Sequence, residues 1–152
     1  MDQTQLSKWR EYAFRYFIMN ADQRMKSFNF FIVAFTVLAG GIIAAWAGGK
    51  ADNHRKALSV PCAAVTVVSI IFYVVDLRSQ RLIKYGTDAL VALDRLEPDM
   101  PEALKFFDLD AKWKRSKQEV ASGVSYTLAF RSLFALTSVG GIAGAIYFWI
   151  TG

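Results

Sequence analysis

Seven residues between positions 59 and 80 share a spacing and a set of polar or small side chains. Ser59, Cys62, Thr66, Ser69, Tyr73, Asp76 and Gln80 recur at intervals of 3, 4, 3, 4, 3 and 4. On a helix such intervals gather all seven on one face. The other face carries Val65, Val68, Ile71, Phe72 and Val75. A face of hydroxyls, a thiol, a carboxylate and an amide has two uses. It can pack closely against another helix, with hydroxyls bonding back to their own backbone. It can also be wetted, and line an aqueous path when several copies surround a common axis. On the second reading Tyr73, one turn inside Asp76, is the candidate gate, because a constriction of this kind closes by dewetting.

A second group is basic. "KWKRSK" (112–117) sets Trp113 among Lys112, Lys114, Arg115 and Lys117. Arg78, Arg81 and Lys84 fall about one turn apart on a helix that should run back past it, bringing Lys84 near Lys117. Cations around an aromatic can hold phosphates and stack a base. The same residues can instead form a collar that attracts anionic lipid, or a solvated face.

Catalytic chemistry finds little support. The chain has one histidine, His54, and one cysteine, Cys62. These cannot supply a structural zinc site, a disulfide or a Cys–His pair. No phosphate-binding GxxxxGK[ST] loop occurs. Asp108 and Asp110 read as caps of a helix beginning near Asp110 rather than as a catalytic pair. We expect no enzyme activity, no metal, no cofactor and no small-molecule substrate.

The elements that must position these groups are helices. Of the 152 residues, 54% are hydrophobic and 20% charged. Phe28–Gly49, Ala57–Val75 and Ser132–Gly152 hold no Asp, Glu, Lys or Arg. Each run is long enough, at roughly 1.5 Å per residue, to span about 30 Å of hydrocarbon. A signal peptide fits poorly, since 27 residues with a helical pattern of their own precede the first run. The expected class is an all-α membrane protein. Its three transmembrane helices extend into a cytoplasmic helical bundle, and it assembles as a homo-oligomer. The divisions are an amphipathic helix over 1–27 continuous with the first span, 28–49; a second span, 57–75; a cytoplasmic hairpin, 76–127; and a third span, 128–152.

Lys and Arg set the orientation. Fifteen lie in the N-terminal segment and in 76–131, against three in the first loop (Lys50, Arg55, Lys56). Positive-inside counting places the N-terminus in the cytoplasm and the C-terminus outside. No Gly or Pro separates the stripe Leu6, Trp9, Ala13, Tyr16, Phe17 from Phe28, so one helix of about 45 residues is expected. The second helix should continue past Asp76 with Leu82, Gly86, Ala89, Leu93 and Leu96 on a stripe. Pro98 and Pro101 end it. A short helical piece over Glu102–Phe107 and a third long helix, Asp110 to Trp149, should follow. Gly40, Gly41, Gly140, Gly141 and Gly144 lie in the first and third spans as small-residue packing faces. We expect them to hold a closed homo-oligomer of about four copies, since three helices cannot enclose a pore.

The junction "ADQRMKSFNFF", its amphipathic lead-in and "LRSQRLIKYGTDALVALDRLE" after the second span resemble small helical membrane proteins of bacterial antiphage loci. The nearest in layout is the membrane effector of the Hailong system. Accessory membrane proteins of type VI CRISPR loci are similar in size, but their R-x-x-x-x-H motif has no counterpart before His54. The resemblance implies a homo-oligomeric ion channel of the bacterial inner membrane that acts in abortive infection. A nucleotide or oligonucleotide signal from a partner enzyme would control it. A non-conducting membrane anchor or scaffold for a soluble partner is the alternative.

Overall fold

The computed structural model describes residues 3–48, 55–96, 100–117 and 126–151. His54 lies outside them. Four α-helices account for most of these: α1 (Gln3–Ala47), α2 (Ser59–Leu96), α3 (Phe106–Lys117) and α4 (Tyr126–Thr151). Short 3-10 turns occupy Arg55–Leu58 and Glu102–Leu104. No strand occurs among the described residues. α1, α2 and α4 are each long and apolar enough to cross a membrane by length and composition, as in a multi-pass membrane protein.

α1 is a single helix of 45 residues, in keeping with the uninterrupted sequence between Gln3 and Ala47. α2 runs for 38 residues. Its Pro61 sits in the first turn, where the missing amide has no helical acceptor to lose. By internal contacts the chain divides into two compact units. One comprises 1–24 and 77–125, and the other 25–76 and 126–152. Both boundaries on the N-terminal side fall inside helices, so α1 and α2 each contribute to both units.

The first unit packs α1 and α2 through Ala13, Leu90 and Leu93, with Leu6, Phe17 and Phe107 against them. Leu90 is 1% exposed, and truncating so enclosed a leucine typically costs about 2–5 kcal/mol. Gly86 permits the approach, because a Cβ there would lie 3.2 Å from the Cβ of Phe17. The buried stripe differs from the one expected. Trp9, Ala89 and Leu96 are exposed, while Val91 and Asp94 are buried. The helix faces are turned because Arg10, next to Trp9, points inward to meet Asp94.

The start of α3 also differs. It begins at Phe106, ahead of Asp110, and Glu102–Leu104 is a separate 3-10 turn. The Lys105 carbonyl accepts the Leu109 amide. The Asp94 carboxylate accepts the amides of Phe107 and Asp108 at 3.2 and 3.4 Å. The cap is thus supplied from α2, and no local Asp is needed to start the helix. Whether α3 continues into α4 concerns residues 118–125, which lie outside those described.

In the second unit an aromatic knot joins three helices. Phe28 stacks on Phe130 at 4.0 Å. Phe31 is fully buried and meets Phe134 edge-on at 4.7 Å and Phe72 at 5.6 Å. Further along, Leu58, Cys62 and Phe148 cluster with Ile42 and Ala145. The outside of this unit is apolar: Phe30, Val37, Val60, Leu136 and Ile150 are all exposed. Its buried residues include Ser69, Thr137 and Asp76. Hydrocarbon favours so apolar an exterior, whereas water does not.

Candidate functional sites

The polar stripe of α2 is largely consumed by α4. A Cβ at Gly141 would crowd Thr66 and lie 2.8 Å from the Cys62 carbonyl oxygen. A Cβ at Gly144 would lie 3.1 Å from the Cys62 Sγ. The absence of side chains there lets the two backbones meet. The Thr66 hydroxyl donates either to the Ser138 carbonyl at 3.3 Å or to the Cys62 carbonyl at 3.4 Å. The Ser69 and Thr137 hydroxyls lie 2.9 Å apart, each also within reach of a carbonyl of its own helix. Ser59 donates to the Lys56 carbonyl. Cys62, Thr66 and Ser69 therefore sit in a helix-packing seam within one chain. Asp76 is buried, Tyr73 remains at the surface, and Gln80 falls in the other unit, half-buried.

Tyr73 opens onto a groove of about 400 Å³ on the α2–α4 face. Its polar lining comes from Ser69 and Tyr73 on α2 and from Arg131, Ser132 and Ser138 on α4. The α4 contribution was not legible from the α2 spacing. Its signal was the run "ALTSVGG" (135–141), which carries hydroxyls in an otherwise apolar span. Among the packing glycines, Gly141 and Gly144 face α2. A Cβ at Gly40, Gly41 or Gly140 would meet nothing within 4 Å.

In the first unit the basic groups divide by their partners. Arg10 pairs with Asp94 at 3.1 Å. Arg95 and Lys112 both pair with Asp108, at 2.8 and 3.0 Å. The Lys112 hydrogen bond, and then that of Arg95, hold the Asp108 carboxyl below the usual carboxylate range. Asp108 is therefore the partner of two cations rather than the cap expected of it. Arg78, Arg81 and Lys84 are exposed and make no ion pair among the described residues. Trp113, Lys114, Arg115 and Lys117 belong to α3, but their side chains, and any approach of Lys84 to Lys117, lie outside what is described.

Two pockets flank the α1–α2 contact of this unit. One, of about 410 Å³, has apolar walls from Leu6, Phe14, Leu104 and Phe106 and a charged edge of Arg10, Glu11 and Asp94. The other, of about 450 Å³, is lined by Trp9, Tyr12, Tyr16 and Tyr85 over a floor that includes Gly86 and Ala89. The sequence reading missed Asp94, whose partner is 84 residues away. A carboxylate inside the apolar run "ALVALDRL" was the available signal.

No family model matches the chain, and no solved structure matches it. It is 32% identical over 144 residues to CD-NTase-associated protein 19 of Escherichia coli, covering 93% of this chain and 91% of the other. The layout of the helices pointed toward the Hailong-system effector; the measured similarity lies with this protein instead. Extending over nearly the whole of both sequences, it takes in both units, and the chain belongs to the family of CD-NTase-associated protein 19.

Proposed function

We propose that this chain is a nucleotide-controlled, homo-oligomeric membrane effector of bacterial antiphage defence, which opens an ion path through the inner membrane. The observation that carries the reading is the apolar exterior of the second unit, around an aromatic core that also holds Ser69, Thr137 and Asp76, in a chain of this family. The relative's name associates it with a CD-NTase. A nucleotidyltransferase of that kind makes a nucleotide product, and such a product is the natural signal. The N-terminus and the 76–131 region are on the cytoplasmic side in this reading, where the signal would be made. The Tyr73 groove sets Arg131, Ser132 and Ser138 among Ile70, Leu128 and Phe134, and is the part of this face that α4 leaves open. Joined around an axis, several such grooves would form the path, with Tyr73 at its narrow point.

The test is reconstitution into vesicles loaded with a potential-sensitive dye. Depolarisation should appear when the nucleotide product of a CD-NTase is added, and not before. Tyr73→Ala should leak without it. A second reading is supported by the seam: with Cys62 and Thr66 spent on α4, the chain can serve as a non-conducting anchor for a soluble partner. Vesicles that hold their potential while the product binds would select the anchor.

A further inference from the structure

We propose that the aromatic groove of the first unit is a nucleotide site, in which a base lies against Trp9, Tyr12 and Tyr85 and the phosphates meet Arg81 and Arg78. The proposal rests on the reading of the chain as nucleotide-controlled, and places the ligand away from the Lys112–Lys117 cluster. Three observations lead to it.

The first is the aromatic side chains. Trp9, Tyr12 and Tyr85 are 62%, 74% and 64% exposed, and with Tyr16 they line a groove of about 450 Å³. Pockets for small ligands occupy roughly 300–1,000 Å³. Trp9 and Tyr12 precede the apolar run at Phe28 by about four to five helical turns of sequence, too far to serve as anchors at a membrane interface. A ring stacks any base, because every base has a π-face.

The second is the stripe. Arg78, Arg81, Tyr85, Ala89 and Ala92 are separated by 3, 4, 4 and 3 residues, which sets them along one face of α2. The arginines therefore continue the line of the groove beyond Tyr85. They are exposed and make no ion pair among the described residues, whereas Arg10, Arg95 and Lys112 are already held by carboxylates. Guanidinium groups suit phosphate by their paired donors.

The third is charge, which decides between the two pockets. The pocket beside Arg10 has two carboxylates, Asp94 and Glu11, against one cation, and would repel a nucleotide. The aromatic groove has no ionised side chain in its lining.

The full chain in detergent is titrated calorimetrically with cyclic di-AMP, cyclic di-GMP, cyclic GMP–AMP and cyclic tri-AMP. Two single-tryptophan proteins are titrated in parallel by fluorescence. One keeps Trp9 (Trp46→Phe, Trp113→Phe, Trp149→Phe), and the other keeps Trp113 (Trp9→Phe, Trp46→Phe, Trp149→Phe). The proposal expects one of the four to quench Trp9 and leave Trp113 unchanged. Tyr85→Ala and Arg81→Glu should each weaken binding about tenfold or more, the scale of losing one stacked base. Tyr85→Phe and Lys114→Glu should leave it within about twofold, since a ring remains in the first and the second lies off the stripe. Quenching of Trp113 alone would overturn the groove and leave nucleotide control standing. If none of the four binds the full chain, both fall. If Tyr85→Ala lowers the oligomer mass and leaves nucleotide affinity intact, the groove is a contact between copies and the proposal is wrong.

Discussion

α1 and α2 are held differently in their two units. In the second unit they turn phenylalanine, valine and isoleucine outward and keep Ser69 and Asp76 inside. In the first unit Leu90 and Leu93 are enclosed, a carboxylate is held by an arginine, and exposed cations stand outside. Backbone geometry is the same throughout, so the side chains alone select the surroundings. The difference also sets how each unit is held. The second relies on close backbone approach and ring packing, with hydroxyl bonds worth about 0.6 kcal/mol each in comparable membrane proteins. The first relies on one leucine-rich contact and a chain of charges, with Arg10 and the α3 amides meeting at Asp94 and two cations at Asp108.

Gly141→Leu should break the contrast most severely. The new side chain would meet the Cys62 carbonyl at 2.8 Å and the Thr66 amide nitrogen at 3.0 Å. Both are backbone atoms that cannot rotate away, so α2 and α4 must part. Loss of a single species in size-exclusion chromatography, with the first unit still protected in hydrogen exchange, is the expected result. Gly140→Leu, at a position where an added Cβ would meet nothing within 4 Å, should leave the second unit folded. Equal damage from the two would mean that the seam is not where its stability resides.

Asp94→Ala comes next. It removes the carboxylate that pairs with the part-exposed Arg10 and uncaps α3, and loss of a helix cap alone typically costs about 0.5–2 kcal/mol. Urea unfolding should show that loss. Faster hydrogen exchange in α3 and in the 3–24 segment of α1, with unchanged exchange in α4, would assign it to the first unit. Uniform acceleration in all helices would argue against separate rules.

The smallest effect is a pH dependence at Asp108. Its folded-state carboxyl titrates below the ordinary range. Its ion pairs therefore contribute stability above the unfolded-state value, and that contribution disappears as pH falls through the folded-state value. Denaturant unfolding of the wild type should weaken on moving from neutral to acid pH. Asp108→Asn should flatten that change, and an identical acid loss in the variant would assign it to other carboxylates.

Much of this was legible in the sequence, because long apolar helices are written in local composition. The uncharged runs and the uninterrupted Gln3–Ala47 stretch needed no distant information. Facing relationships were harder. The spacing of Cys62, Thr66 and Ser69 told that they share a face, but not that Gly141 and Thr137 would occupy it. Trp9 looked like a core residue by periodicity. Its neighbour Arg10 took the inner position because a carboxylate 84 residues away awaited it, and no window along the chain contains both. The α3 start was misplaced for the same reason, its cap being carried by another helix.

The aromatic knot has a consequence in time. Phe28 stacks on Phe130, a partner made 102 residues later (130 − 28). At a synthesis rate of roughly 5–20 residues per second, the early half of the contact waits on the order of 5–20 s for the late half. Phe31, fully buried in the finished chain, has Phe72 to lean on during that interval, but not Phe134. Nascent α1 and α2 must therefore persist as an incomplete pair. A ribosome that stops before α4 would release a chain whose aromatic rings remain available to other apolar helices.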